Sequence, residues 1–194
     1  GGALIASPLV DAWVCGAALA PYEQEPPVAE LLTAIAEGPH VVALAGLTGT
    51  PTPLVSDSTS AAARSARVSG RAAAVVFGAQ ASTLVVACVD GAGHEVLALV
   101  SPTAEGVVVS ADVPLDHTRP MATVTFASAP AVVVGDGEAV RRLRRLAWLA
   151  LGVESAAAAR GCLDMTVAYL LLREQFGRQI GSFQALKHRA ADLV

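Results

Sequence analysis

The sequence predicts an α+β multi-domain chain: an α-helical segment, then an antiparallel β-barrel or sandwich, then long helices. Three observations predict it. Residues 1–39 carry helix-start prolines ahead of apolar helical runs, residues 40–135 break into short β-branched runs between turn residues, and residues 136–194 hold a long stretch free of proline. With 54% hydrophobic and 15% charged residues, the 194 positions hold enough apolar side chain for one sizeable core or two small ones.

The elements follow in order. Ser7 and Pro8 supply a cap and a first-turn proline before "LVDAWVCGAALA", and Pro27 opens "VAELLTAIAEG", which Gly38 and Pro39 close. Both helices are mostly apolar and must pack on something. The runs "VVALAGL", "AAAVVF", "TLVVACV", "EVLALVS", "GVVVSA", "ATVTFASA" and "AVVV" recur about every ten residues between Gly, Pro and Asp-Gly breaks, the pattern of an antiparallel sandwich or barrel. "SDSTSAAARSAR", from Ser56 to Arg67, reads as an exposed loop. Asp136 caps a helix expected to run to about Gln175, where Gly177 ends it, and Ser182 caps a further helix.

Composition narrows the functional classes. The apolar run Leu146 to Val153 stops at Glu154, so no stretch of about 20 apolar residues is expected to cross a bilayer, and no secretory signal is visible. Cys15, Cys88 and Cys162 are widely spaced and read as buried thiols in a reducing cytoplasm. Residues 1–138 hold four basic and thirteen acidic side chains, residues 139–194 nine basic and four acidic. The basic part lacks the motifs and interleaved aromatics of nucleic-acid readers, so no nucleic-acid partner is expected; an anionic small ligand or an acidic partner surface fits. His40, His94, His117 and His188 are widely separated, with no second His at i+3 or i+4, which gives a metal site weak support, and no Walker loop, nucleophile elbow or Cys/His pair at suggestive spacing is present. Asp112, Asp116 and His117 cluster in "ADVPLDHTR", where two carboxylates are expected to solvate a loop.

The C-terminal stretch has a different texture. Tyr169, Arg173 and Phe176 recur at spacings of four and three, placing them on one face if the helix continues. Arg173 can donate two parallel hydrogen bonds to a phosphate, and Phe183 and Gln184 fall in a first helical turn, where free amides and the helix dipole favour an anion. The same residues also fit a helical hairpin with Phe176 and Phe183 in its core and Arg173 in a salt bridge. Geometry leaves both open.

"AYLLLREQFGRQIGSFQALKHRAADLV" resembles the C-terminal-domain signature of the acyl-CoA dehydrogenases, FAD enzymes in which Arg-x-x-Phe-Gly is followed by Ile-x-x-Phe-Gln, then His and Ala-Asp. "LLTAIAEGPHVVALAGLT", "VSGRAAAVVFGAQASTLVVAC" and "PLDHTRPMATVTFASAPA" resemble that family's earlier segments more loosely. The resemblance implies the end of an N-terminal helical domain (1–39), a middle β domain (40–135) and the start of a C-terminal up-down helical bundle (136–194). It implies FAD-dependent α,β-dehydrogenation of an acyl-CoA, an electron-transfer acceptor, and a homo- or hetero-oligomer in the cytoplasm. It makes Arg173, Phe176, Phe183 and Gln184 contacts to FAD, commonly that of a neighbouring subunit, and brings Thr48 to flavin through its backbone. The catalytic base is expected beyond Val194, since "RRLAWLAL" offers no carboxylate and Glu154 is out of helical phase. Gly49 stands where the family has Glu after the Thr. Two alternatives stay within reach of the resemblance: a non-catalytic subunit completing a partner's FAD site, and a flavin monooxygenase or nitroalkane oxidase of the same fold.

Overall fold

In "TLVVACVD" both faces of a strand are covered, because Leu84, Val86 and Cys88 point one way into a core while Val85, buried as deeply, points the other. This is strand β4 (Thr83–Asp90) of a computed structural model that describes residues 7–47, 55–56 and 65–193. The chain divides into two compact units, residues 1–147 and 148–194.

In the first unit, α1 (Leu9–Leu19) and α2 (Pro26–Glu37) precede β1 (Val42–Ala45), β2 (Val55–Ser56), β3 (Ser65–Val76), β4, β5 (Glu95–Val100), β6 (Val107–Ala111) and β7 (Met121–Gly135). Ser7 Oγ accepts from the Leu9 amide at 3.3 Å at the start of α1, and Pro26 and Pro27 open α2. The pairings close a circuit in which β4 meets β2, then β3, β7 and β5, and β5 returns to β4. A closed circuit leaves few unpaired edges. Ala43, Ala45, Val68, Val75, Leu84, Val86, Val100, Val124 and Phe126 fill its interior. The fold is therefore the α+β arrangement expected, with a barrel-like sheet.

Three details depart from expectation. The sheet is mixed, since β1 and β2 both run parallel to β4. Residues 46–82 separate β1 from β4, long enough for a crossover, and a short apolar run reads alike in either direction. "ATVTFASA" and "AVVV" are one fifteen-residue strand despite Pro130. Ser128 takes a left-handed φ of 54° just before that proline, and a register shift between Val68 and Gly70 of β3 lies opposite, so the proline sits where the ladder is already irregular. Finally, Ser65–Arg67 of the expected loop belongs to β3.

Asp136 caps α3 (Gly137–Leu172), as its sequence position predicts: its Oδ1 accepts from the Glu138 and Ala139 amides at 3.0 and 3.2 Å and from the Tyr22 hydroxyl at 3.1 Å. The amide bonds hold its carboxyl below the usual range. Ala139, Val140 and Leu143 are buried, Arg144 pairs with Glu95 at 2.9 Å, and Arg142 Nε donates to the Ala17 carbonyl at 3.1 Å. The basic run at the start of α3 therefore makes these contacts within the first unit. By length and composition α3 is also apolar enough to cross a bilayer, which the count of uninterrupted apolar residues misses. It carries an exposed Arg160–Asp164 ion pair at 3.1 Å within that length.

Candidate functional site

Most titratable groups outside the C-terminal stretch hold local structure. Asp116 accepts from the amide and hydroxyl of Thr118 at 2.9 and 2.6 Å, and Asp112 accepts from the Thr123 hydroxyl at 3.1 Å, so both carboxylates brace the loop before β7. His40 Nε2 lies 2.9 Å from the Thr83 hydroxyl. His94 Nδ1 lies 3.3 Å from Asp90, four residues earlier in the chain. Among the described residues no three His, Cys, Asp or Glu side chains group as a metal site. Burial pushes the Cys15 and Cys88 thiols up to about 12, as fits packed cysteines, whereas Cys162 is exposed on α3, contrary to the reading of three buried thiols.

The second unit holds the candidate site. α3 ends at Leu172, its last turn closed by the Arg173 amide donating to the Tyr169 carbonyl at 2.9 Å. The chain then forms a hairpin of β8 (Glu174–Gln175) and β9 (Arg178–Gln179), with Glu174 opposite Gln179 and Gln175 opposite Arg178. Phe176 and Gly177 make the two-residue turn at φ 54° and 73°. Two successive positive φ values define the primed turn whose twist matches a tight hairpin. Glycine takes that conformation freely. For phenylalanine it costs about 1–3 kcal/mol, and the ring, 92% exposed, gains little burial in return.

A 3₁₀ turn, Ile180–Ser182, returns the chain to α3: the Ile180 amide donates to the Arg173 carbonyl at 2.8 Å. A Cβ on Gly181 would lie 2.7 Å from the Leu170 carbonyl oxygen, so only glycine lets the backbones approach this closely. Phe183 is the N-cap of α4 (Gln184–Ala191), and its carbonyl accepts from the Leu186 and Lys187 amides at 3.0 and 3.1 Å. The Phe176 and Phe183 rings meet edge to face, centroids 6.2 Å apart, and the Arg178 guanidinium lies 4.1 Å over the Phe183 ring.

Several sequence expectations change here. Phe176 lies beyond the end of α3, so it shares no helical face with Tyr169 and Arg173, and its exposure rules out the buried helical hairpin. Gly177 does reverse the chain, but within a β-turn. Ser182 does not cap α4; its hydroxyl donates to the Gln179 carbonyl at 2.7 Å. Phe176 and Phe183 come together, Gln184 opens α4, and Arg173 stands at the foot of the hairpin. Among the described residues no hydrogen bond or ion pair engages the Arg173 guanidinium, while Arg178, which sequence reasoning passed over, is engaged by Phe183. Thr48 lies outside the described residues.

This surface offers the Arg173 guanidinium, which no described residue engages, first-turn amides at Gln184 and Ala185 with no carbonyl behind them in the helix, and an exposed aromatic ring. Such a set suits an anionic ligand with a flat ring system, and so fits the pyrophosphate and ring systems of FAD.

The sequence profile described as "Acyl-CoA dehydrogenase, C-terminal domain" matches residues 143–194. Acyl-CoA dehydrogenase FadE34 of Mycobacterium tuberculosis is 42% identical over 97 residues, which are 50% of this chain and 13% of that protein. Acyl-CoA dehydrogenase IpdE2 of Mycolicibacterium smegmatis is 48% identical over 79 residues, 41% of this chain and 24% of that one. Among solved structures, a Tcur3481–Tcur3483 steroid ACAD variant superimposes with a TM-score of 0.81 at 27% identity, covering 92% of this chain and 49% of its own. The ChsE4–ChsE5 complex of M. tuberculosis gives 0.78 at 26%, covering 91% and 48%. The chain thus spans about half the length of these structures and a smaller share of the curated relatives. The fold is the one that acyl-CoA dehydrogenases adopt. Residues 143–194 thus match the C-terminal domain of the acyl-CoA dehydrogenases, and the sequence and structure relatives together support a member of that family.

Proposed function

We propose that this chain is part of an FAD-dependent acyl-CoA dehydrogenase that introduces an α,β double bond into an acyl thioester and passes the electrons to an electron-transfer acceptor. The observation that carries the reading is the Arg173 guanidinium, engaged by no described residue, at the foot of the hairpin that bears Phe176, with the first turn of α4 following. Arg173 would hold the pyrophosphate through paired N–H groups, and the first-turn amides and Gln184 would add neutral hydrogen bonds. Phe176 and Phe183 would form the apolar wall. When bound, FAD supplies the acceptor for the β-hydride. The proton leaving the α-carbon needs a positioned carboxylate, a role assigned to none of the described residues.

A related solved structure that complexes FADH2, a glutaryl-CoA dehydrogenase, supports flavin at the level of the fold. Cytoplasmic placement is part of the proposal and rests on three cysteines without a disulfide.

A second reading has its own support. Arg144 to Leu151 carries no carboxylate, and two of the solved relatives, at 27% and 26% identity, bear two-component names, one of them a steroid ACAD. In that reading the chain is a non-catalytic subunit lending Arg173 and Gln184 to a partner's FAD, and the substrate is a steroid-type acyl-CoA. Flavin absorbance and acyl-CoA-dependent reduction of an artificial acceptor, measured on the full polypeptide that contains this chain, alone and with its partner, separate the two. Flavin and turnover in that polypeptide alone support a self-sufficient enzyme; their appearance only with a partner supports the second reading; neither in any assembly overturns both.

A further inference from the structure

Two arginines flank the hairpin, and the structure gives them different surroundings. The Arg178 guanidinium is spent on the face of Phe183, 4.1 Å from its centroid, whereas no described residue engages Arg173. Phe183 also takes the edge-to-face contact of Phe176, so the three side chains form one series from β9 through the N-cap of α4 to the turn. Phe176 needs such a support. It sits in a left-handed conformation unfavourable to its side chain, its ring is exposed, and Phe183 is its ring partner.

We infer that Arg178 is a positioning residue: its guanidinium fixes the Phe183 ring, Phe183 fixes Phe176, and the two rings are thereby set for a planar ligand that Arg178 does not touch. The inference rests on the flavin reading for the ligand's identity, but the ring arrangement belongs to the protein without ligand. A cation over an aromatic face is held by the ring's quadrupole, so a neutral residue at 178 loses the attraction while lysine keeps part of it.

The test compares Arg178→Gln, Arg178→Lys and Arg173→Ala in the full flavin-binding assembly, reading aromatic chemical shifts by NMR without flavin, and then the FAD dissociation constant at two salt concentrations. In Arg178→Gln the Phe176 and Phe183 resonances move toward averaged values and FAD binding weakens about three- to tenfold. Lysine restores part of both, and the salt dependence stays that of the parent. Unchanged ring resonances in Arg178→Gln overturn the positioning role. A reduced salt slope in Arg178→Gln, equal to that in Arg173→Ala, overturns it differently, by showing direct phosphate contact. Unchanged FAD affinity in Arg173→Ala with shifted rings in Arg178→Gln overturns the flavin reading and supports the ring support alone.

Discussion

At Asp11, burial in α1 outweighs the nearby charge of Arg119 and lifts the carboxyl from 3.8 to about 6. Between those values the folded chain keeps a proton that the unfolded chain has released. This contribution to stability is complete below about pH 4 and is lost as pH climbs through about 6. Asp11→Asn should flatten that slope and raise stability at pH 8 by about 1–2 kcal/mol, the allowance for partial solvent screening included. Denaturant titrations at pH 4.5 and 8 check this; a parallel loss in parent and variant contradicts it. Phe176 gives the second residue-scale expectation. Its exposed ring predicts that Phe176→Ala costs under about 1 kcal/mol in melting experiments on apo-protein, against the 3–5 kcal/mol of an emptied core position. Little at either residue was legible in sequence. Asp11 looks like an ordinary first-turn carboxylate, and Phe176 at helical spacing from Tyr169 and Arg173 reads as a helix face.

Among elements, the hairpin is where sequence reasoning fell short. Arg, Glu and Gln are good helix formers, so "REQ" extends α3 by propensity, and two paired residues per strand leave no period-2 pattern to oppose it. The Phe-Gly dipeptide is the one local signal, because a glycine second in a two-residue turn marks a tight hairpin. Caps and prolines were more informative: Asp136 starts its helix as read, Pro27 falls in the first turn of a helix that begins one residue earlier at Pro26, and α2 ends at Glu37 before Gly38. Strand existence was legible from β-branched runs, but the parallel direction of β1 and β2 against β4 depends on long-range closure that no single run encodes. The junction of hairpin and α3 supplies a test. Gly181→Ala would press a methyl against the Leu170 carbonyl, so the tail should lose about 1–3 kcal/mol of local stability. Faster amide exchange at Ile180, whose N–H bonds to Arg173, would show it, and unchanged exchange would contradict the close approach.

For the whole molecule, exposed side chains decide the first expectation. Trp148, Leu149, Leu151 and Val153 on α3, with Met165, Leu171 and Leu172 further along, are exposed apolar side chains, and large apolar patches are rare on soluble monomers. Light scattering on the 194-residue chain should show association, and a strictly monomeric species at high concentration would contradict this. In the proposed function the C-terminal stretch is a wall of a flavin site, with Arg173 its anion-binding group. That role is tested most directly by titrating FAD into the apo form of the full assembly, parent beside Arg173→Ala. A charge-assisted hydrogen bond is worth about 1.5–3 kcal/mol, so FAD should bind roughly 10- to 150-fold more weakly in the variant, with apo-protein melting unchanged. Parent-like FAD affinity in Arg173→Ala, with an equal loss of stability in apo and holo forms, would contradict it.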